Sequence, residues 1–385
     1  MYDYIVVGAG FAGAVLAERL ASGLDKKVLV LDRRTHIGGN CYDEVDDNDI
    51  IVHRYGPHIF HTDNEDVLDY LKQFSDFSSY IHTVKAYVDA KNISIPFNLN
   101  TLYEVFDKNI ALKLQDKLID AYGKKSRVSI SELKKNPDED LQLLAQYVYD
   151  KIFLNYTLKQ WGLKPEDIDE KVTARVPIVI DEDNRYFQDA FQLIPEHGYT
   201  KLFERLLSHP NITVELSTDF NDRALMKDGL VYFDDTLINN KIIYTGMIDE
   251  LFGYCYGSLP YRSLNLQFES KECEYFQENS VINYPNDYDF TRITEFKYLH
   301  PVKSDKTTIL KEYPQAYKKG ENIPYYPIFT VENQNLYEKY KMKVEKYTNI
   351  IIVGRLAEYK YYDMDDIIVK ALAVYEGIKE EDKCL

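Results

Sequence analysis

Two kinds of residue in this chain have chemistry written into their types and spacing: a glycine-and-acid set suited to a dinucleotide, and arginines and tyrosines suited to phosphate. Gly8, Gly10 and Gly13 form a GxGxxG directly after the apolar run Tyr4-Ile-Val-Val7, and Asp32 closes the next apolar run, Val28-Leu-Val-Leu31. Gly8 permits a tight turn, Gly10 lets backbone N–H groups approach a pyrophosphate, and Gly13 lets helix and strand pack closely. A helix starting here turns unpaired N–H donors and its positive dipole end toward phosphate. A carboxylate about 20 residues further on suits the ribose hydroxyls, so Asp32 is the expected adenosine contact. Arg33, Arg34 and the doublet Gly38-Gly39 with Asn40 follow, which suits an extended FAD better than NAD. Near the other end, Ile350-Ile-Ile-Val-Gly354-Arg355 reads as a strand emptying into glycine, and Met364, Ile367, Ile368, Ala371 and Leu372 repeat with helical period. No second GxGxxG occurs, which argues against a nicotinamide cofactor held in a domain of its own.

Five further stretches are chemically loaded. Tyr55-Gly-Pro-His58-Ile59-Phe-His61 sets two histidines on a Gly-Pro turn. No third ligand is evident nearby for a metal, which leaves a structural turn or a cofactor contact. Phe153-Leu-Asn-Tyr156-Thr157-Leu-Lys-Gln-Trp161 puts two aromatics near a helix end, either as a core pair or as a face for a ligand. Arg175 lies between an acidic approach (Glu166, Asp167, Asp169, Glu170) and an apolar strand, and a surface ion pair is its plainest use. Arg292 sits in a strand-like alternation after Asn283, with Glu295 as the expected ion-pair partner. In Arg355-Leu-Ala-Glu-Tyr-Lys-Tyr361-Tyr362-Asp363-Met364, Asp363 stands where a residue would cap the last helix.

The elements that must position these residues follow from composition and period. A chain of 385 residues has room for two or three domains. The pattern predicts an α/β fold with α+β insertions. A Rossmann-like FAD-binding domain is split over residues 1–78, 195–250 and 328–385. A helical domain is expected over 100–170, and an antiparallel sheet for the substrate over 79–99, 171–194 and 251–327. The formal charge of −17 disfavours nucleic acid and anionic membrane as partners, yet a few cations gathered in one cleft still suit an anionic ligand. The 34 tyrosines offer both core packing and phosphate donors. Cys41, Cys255, Cys273 and Cys384 lack any CxxC spacing, which argues against a metal cluster or a dithiol reductase and for a reduced, cytoplasmic setting. No apolar run approaches the ~18 residues of a membrane span, and the first strand starts too early for a signal peptide.

Read together, these stretches resemble the UDP-galactopyranose mutases, a bacterial flavoenzyme family. The resemblance runs from residue 2 to about 376. It is carried by the glycine unit, His36-Ile-Gly-Gly-Asn40, Gly56-Pro-His-Ile-Phe-His-Thr62, Pro96-Phe-Asn98, Tyr156-Thr-Leu-Lys-Gln-Trp161, Leu259-Pro-Tyr-Arg-Ser-Leu264, Thr291-Arg-Ile293, Lys311-Glu-Tyr-Pro314 and Gly354-Arg-Leu-Ala-Glu-Tyr-Lys-Tyr-Tyr-Asp-Met364. Asp32 departs from the family's more usual Glu.

The resemblance implies an isomerase that interconverts UDP-galactopyranose and UDP-galactofuranose without net redox change, for bacterial surface glycans. N5 of reduced FAD would attack the anomeric carbon, and the ring would contract through a covalent flavin–sugar adduct. It implies Arg175 and Arg292 as the catalytic cations at the diphosphate. Tyr186, Tyr313 and Tyr361 would add phosphate hydrogen bonds, Phe153, Tyr156, Thr157 and Trp161 would hold the uridine, and Asn98 and Asn283 are further substrate contacts. Gly8, Gly10, Phe11, Gly13, Asp32, Gly39, Asn40, His58, Ile59, Arg355, Tyr362, Asp363, Met364 and Ile367 would line the FAD, with no metal. An external reductant for the flavin, NAD(P)H or a reductase, and a homodimer are likewise implied. Two other readings share the N-terminal signature: an FAD oxidoreductase of the amine-oxidase type, and a non-enzymatic carrier that dispenses with flavin.

Overall fold

The computed structural model describes residues 2–162, 177–238 and 240–383. Along the chain, strand β1 (Tyr4–Val7), helix α1 (Phe11–Leu24) and strand β2 (Val28–Leu31) come first. The hairpin β3 (Val84–Val88) and β4 (Lys91–Ile95) leads to helices α2 (Leu99–Val105), α3 (Lys108–Tyr122), α4 (Glu139–Val148) and α5 (Asn155–Trp161). Helix α6 (Gly198–Leu206) precedes β5 (Ile212–Glu215) and β6 (Lys241–Tyr244). Five strands follow: β7 (Tyr261–Lys271), β8 (Val281–Asn283), β9 (Arg292–Glu295), β10 (Thr307–Ala316) and β11 (Tyr326–Pro327). The chain ends on β12 (Ile350–Ile352) and α7 (Met364–Lys383).

Strands β5-β2-β1-β6-β12 form one wholly parallel sheet in that order. Both its faces are covered, which is why β2 is an unbroken apolar run with every residue buried. Helices α1, α6 and α7 pack on one face around Val15, Leu16, Leu20, Phe203 and Ile368. Phe220, Tyr244, Phe252, Tyr340 and Tyr347 fill the other. The turn from β1 into α1 is tight. Gly8 has φ +107°, and a Cβ there would lie 2.0 Å from the Thr245 hydroxyl oxygen; a Cβ on Gly13 would lie 1.9 Å from the Gly8 carbonyl oxygen.

A seven-stranded sheet, β11-β7-β10-β9-β8-β3-β4, stands beside it. It is antiparallel except where β8 runs parallel to β3. Helices α2 to α4 bury Leu102, Leu114, Leu118, Leu144 and Val148 together with Val84, Ala86 and Ile95 of this sheet. Between α4 and α5 the chain takes one π-helical turn, Tyr149–Leu154.

One expectation is corrected. The strands described within 171–194 do not join the large sheet: Pro177–Val179 pairs with Arg127–Ser129, and Phe191–Pro195 lies between Phe60–Thr62 and Phe77–Ser79. Within 195–250, Ala224–Ile238 forms a small antiparallel sheet of its own. Asp363 stands at the N-cap position of α7, as its place in the sequence suggests: its carbonyl accepts from the Ile367 N–H, and the Asp366 carboxylate accepts from the Asp363 N–H, with no bond from the Asp363 side chain among those described.

Candidate functional site

The carboxyl ends of β1, β2 and β6 open into a cleft of about 730 Å³, where open parallel sheets ordinarily take their ligands. Gly8, Gly10, Phe11, Asp32, Gly39, Asn40, His58, Arg355, Tyr362, Asp363, Met364 and Ile367 all line it. Gly10 is the N-cap of α1 without a side-chain cap, and the first turn of the helix carries no acid, so anionic ligands meet free N–H donors there. Asp32 is buried and uses both oxygens locally, accepting from the Ala9 N–H at 2.8 Å and the Arg34 N–H at 2.9 Å. It therefore braces the glycine turn as well as facing the cleft. Arg34 holds Asn40 through a 2.8 Å bond to Oδ1. Arg33 is spent on Glu250 (2.7 Å) and Asp219.

Gly13 and Ile59 do not line the cleft. Gly13 serves the contact of α1 with β1. The Ile59 side chain is buried with Ile50, Val52, Ile194 and Phe296. The turn that carries it sends His58 to the cleft instead. His58 Nδ1 lies 2.8 Å from the Gly56 carbonyl, which fixes Nδ1 as the protonated nitrogen, and the His58 N–H donates to His53 Nδ1 at 2.9 Å. Burial, with Arg355 and Arg292 nearby, pushes His58 down to about 4, so its ring is neutral.

The presence of both arginines at His58 marks where the cleft meets a second constellation. Arg292, on β9, pairs through Nε with Glu312 Oε1 at 2.6 Å, directly across the β9–β10 register. This corrects the expected partner: Glu295 instead accepts from Phe276 N–H, Gln277 N–H and the Thr307 hydroxyl. Burial opposes charging Arg292, but the neighbouring Glu312 carboxylate outweighs it and holds its pKa above the ordinary range. Tyr156, Tyr186 and Tyr326 lie within electrostatic reach of Arg292. Burial raises the Tyr156 and Tyr361 phenols, so both remain hydrogen-bond donors at neutral pH. Trp161, Tyr326 and Tyr361 form a chain of rings (6.5 and 6.3 Å), with the Arg355 guanidinium over Tyr326 and Tyr361 at 5.6 and 4.8 Å. Asn283 Oδ1 is buried with no partner among the described residues.

Other expected contacts fall elsewhere. Asn98 is fully buried; it caps α2 through Thr101 and donates to the Asp183 carbonyl and Asn184 Oδ1. In this structure its amide serves as a helix cap and a tie to the 183–184 turn. Phe153 lies in the helical core against Tyr149, and Thr157 is buried beside it on α5. The ring contact of Tyr313 is with Phe290 at 5.8 Å, because successive strand residues face opposite sides and Glu312 takes the Arg292 side. Tyr186 stands 41% exposed against His82. Arg175 lies outside the described residues. Glu312 and Tyr326 join the site without a motif of their own; only their places in Lys311-Glu-Tyr-Pro314 and Pro324-Tyr-Tyr-Pro327 hint at them. Asp43, His53 and His300 also converge, all buried, but the Asp43 carboxylate is occupied by the Tyr199 and Thr200 N–H groups and the two imidazoles bond each other at 3.2 Å.

Comparison with known proteins agrees with this geometry. A family model described as UDP-galactopyranose mutase matches residues 151–361, and one for an NAD(P)-binding Rossmann-like domain matches 6–74. The chain is 37% identical to a dTDP-fucopyranose mutase of Escherichia coli over 97% of each sequence. It is 38% identical to a probable UDP-galactopyranose mutase of Klebsiella pneumoniae over 96% of this chain and 93% of that one. The crystal structure of a reduced UDP-galactopyranose mutase matches with a TM-score of 0.73 over 99% of this chain and 94% of that one. Its identity is 15%, so this likeness speaks for the fold alone. Among the described residues no helix is long and apolar enough to cross a membrane.

Proposed function

The chain belongs to the UDP-galactopyranose mutase family of isomerases, and we propose that it converts UDP-galactopyranose to UDP-galactofuranose with FAD in the glycine cleft. The observation that carries this reading is a charged arginine, braced by a buried carboxylate and within electrostatic reach of three tyrosines and of His58 at the dinucleotide cleft. An oxidoreductase acting on an amine has no use for a cation there; a departing diphosphate does.

The residues present fit a dinucleotide. Gly8 and Gly13 leave no room for a Cβ, and the open first turn of α1 accepts a pyrophosphate. Asp32, Asn40, His58, Arg355 and Met364 would hold the two ends of FAD. When bound and reduced, FAD supplies a nucleophilic nitrogen for the anomeric carbon and recovers it, so no net redox change results.

The protein's share is binding and electrostatics. As the sugar's C1–O bond breaks, charge grows on the UDP phosphate oxygens. Arg292, already oriented by Glu312, stabilises that charge without reorganising. Tyr156 and Tyr361 keep their protons and donate to oxygen, and the unpartnered Asn283 Oδ1 is free for a ligand hydroxyl or N–H. Neutral His58 adds no competing charge. Tyr156 and Trp161 on α5, joined by Tyr326, supply faces for the uracil ring. Arg175 completes the diphosphate clamp in this reading. Family membership also supports an external reductant, NAD(P)H or a reductase, and a homodimer working in the cytoplasm.

The test is to incubate dithionite-reduced protein with UDP-galactopyranose and, separately, with dTDP-fucopyranose, since a relative 37% identical, against 38% for the probable UDP-galactopyranose mutase, carries the latter name. Chromatography should show a UDP-furanose peak from the first. Furanose only from the dTDP-sugar would move the substrate; none from either, with oxidation of an amine, would overturn the reading.

A further inference from the structure

Lys159 stands in the middle of the stretch that carries Tyr156 and Trp161, yet neither the cofactor cleft nor the diphosphate site uses it. Its ammonium donates to three backbone carbonyls, of Tyr284 (2.5 Å), Tyr288 (3.1 Å) and Phe290 (3.1 Å). All three belong to one loop, the connection between β8 and β9. No carboxylate is bonded to Lys159 among the described residues. A half-buried ammonium bonded to carbonyls and to no carboxylate among the described residues is an unusual arrangement, and a tripod of carbonyls from a single loop is a specific one.

That loop joins the two strands that bring residues to the site. Asn283, with its unpartnered oxygen, is the last residue of β8, and Arg292 is the first of β9. The loop is closed at its base by the Tyr284 N–H to Thr291 carbonyl bond. Tyr284, Tyr288 and Phe290 pack on one another at 4.9 to 5.1 Å. A second tie runs beside the tripod: Asn286 accepts from Asn155 Nδ2 and donates to the Lys151 carbonyl, both at 2.8 Å. The far end of α5 is fastened too, by Arg262, whose guanidinium donates to the Gln160 and Lys159 carbonyls.

We propose that Lys159 is a positioning residue that locks the β8–β9 loop to α5, so that the aromatic face of α5 and the Asn283–Arg292 pair meet one nucleotide-sugar at a fixed separation. The proposal rests on the reading above, in which α5 receives the nucleotide. Without the tie, only the Asn286 bonds to Asn155 and Lys151 join helix and loop among the described side-chain bonds, and the ligand must complete their ordering as it binds.

The tripod also has a chemical limit. Burial pulls the Lys159 ammonium down to about 8, against the opposing pull of Asp289 and Asp287 on the loop. The other titratable or charged groups on the elements packed here are the Tyr284 and Tyr288 phenols with Tyr87 against them, Lys311 and Tyr313 at Phe290, and Tyr156 and Arg262 at α5. The neutral amine has two N–H groups for three carbonyls and turns a lone pair on one of them. The lock weakens as pH rises through this range.

The experiment uses FAD-loaded protein with UDP as the probe. Affinity is measured by calorimetry from pH 7 to 9, with amide exchange over 284–291. Lys159→Met should retain FAD, weaken UDP binding by about tenfold or more, speed exchange at Tyr284 and Thr291, and lack the alkaline loss of affinity expected of the parent. Lys159→Arg should recover part of the affinity and stay flat to pH 9, since a guanidinium keeps its charge. Should Lys159→Met lose FAD or fail to fold, Asn286→Ala decides: it removes only the second tie and should weaken UDP at least about threefold while speeding the same amides. UDP affinity within twofold of the parent and unchanged exchange in whichever variant folds would overturn the proposal. Tyr156→Ala separates the two claims. If it binds UDP normally, the role of α5 falls and the lock with it; if it binds weakly while the Lys159 and Asn286 variants bind normally, only the lock falls.

Discussion

Arg292 is tied to Glu312 and, in the proposed function, to the substrate, and the two ties are separable. Glu312 is 1% exposed at its side chain and Arg292 26%, so Arg292→Ala leaves a buried carboxylate without its cation. Breaking a buried pair from one side costs about 3–5 kcal/mol; water reaching the partly exposed arginine site lowers this to about 2–3 kcal/mol. Adding Glu312→Gln removes the stranded charge, and the double variant should regain at least about 1 kcal/mol. Urea unfolding of the FAD-loaded proteins reads this term. Activity should not follow. Loss of a preorganised donor at a developing anion costs about a hundredfold in turnover, in the single and double variants alike. A double variant that recovered turnover together with stability would show that Arg292 matters only as the partner of Glu312. A single variant as stable as the parent would refute the buried pair itself.

Asp32→Asn should lower flavin content and also the melting temperature, because one of two N–H donors loses its charged acceptor at a cost of about 1.5–3 kcal/mol; full flavin at unchanged stability would contradict both uses of the carboxylate. Gly13→Ala should prevent folding or cost at least about 3 kcal/mol, with soluble, flavin-loaded protein as the contrary result. His300 is held by burial at about 4, below its ordinary 6.5. Its proton therefore binds the unfolded chain better, and the neutral ring's contribution is full above pH 6.5 and is lost as pH falls toward 4. Urea midpoints between pH 7.5 and 4.5 should drop more steeply for the parent than for His300→Phe; parallel curves would refute this.

The legible parts of the molecule were those in which cause and effect lie close in sequence. The turn from β1 to α1 is specified by Gly8 and Gly13 within six positions, and β12 and α7 by apolar period alone. Long-range register is different. Arg292 meets Glu312 rather than Glu295 because β9 and β10 pair antiparallel, and a one-residue slip would have changed the partner. Ile59 and His58 are neighbours that face opposite ways, so a motif containing both does not say which reaches the cleft. Asn98 is uninformative for a related reason: an asparagine ahead of Leu99-Asn-Thr101 serves a helix cap as well as a ligand, and only the fold shows its amide in the cap. The tripod at Lys159 joins residues 125 to 131 positions apart, beyond any local pattern.

The central claim is that an isomerase site, with its arginine and tyrosines, works beside a reduced flavin. The most direct measurement follows furanose formation from UDP-galactopyranose on one preparation as its flavin is cycled. The oxidised protein should bind the substrate and leave it unchanged, dithionite should switch conversion on, and air should switch it off with flavin and protein intact. Equal turnover in the oxidised state, or none in the reduced state despite bound UDP-galactopyranose, would contradict the account.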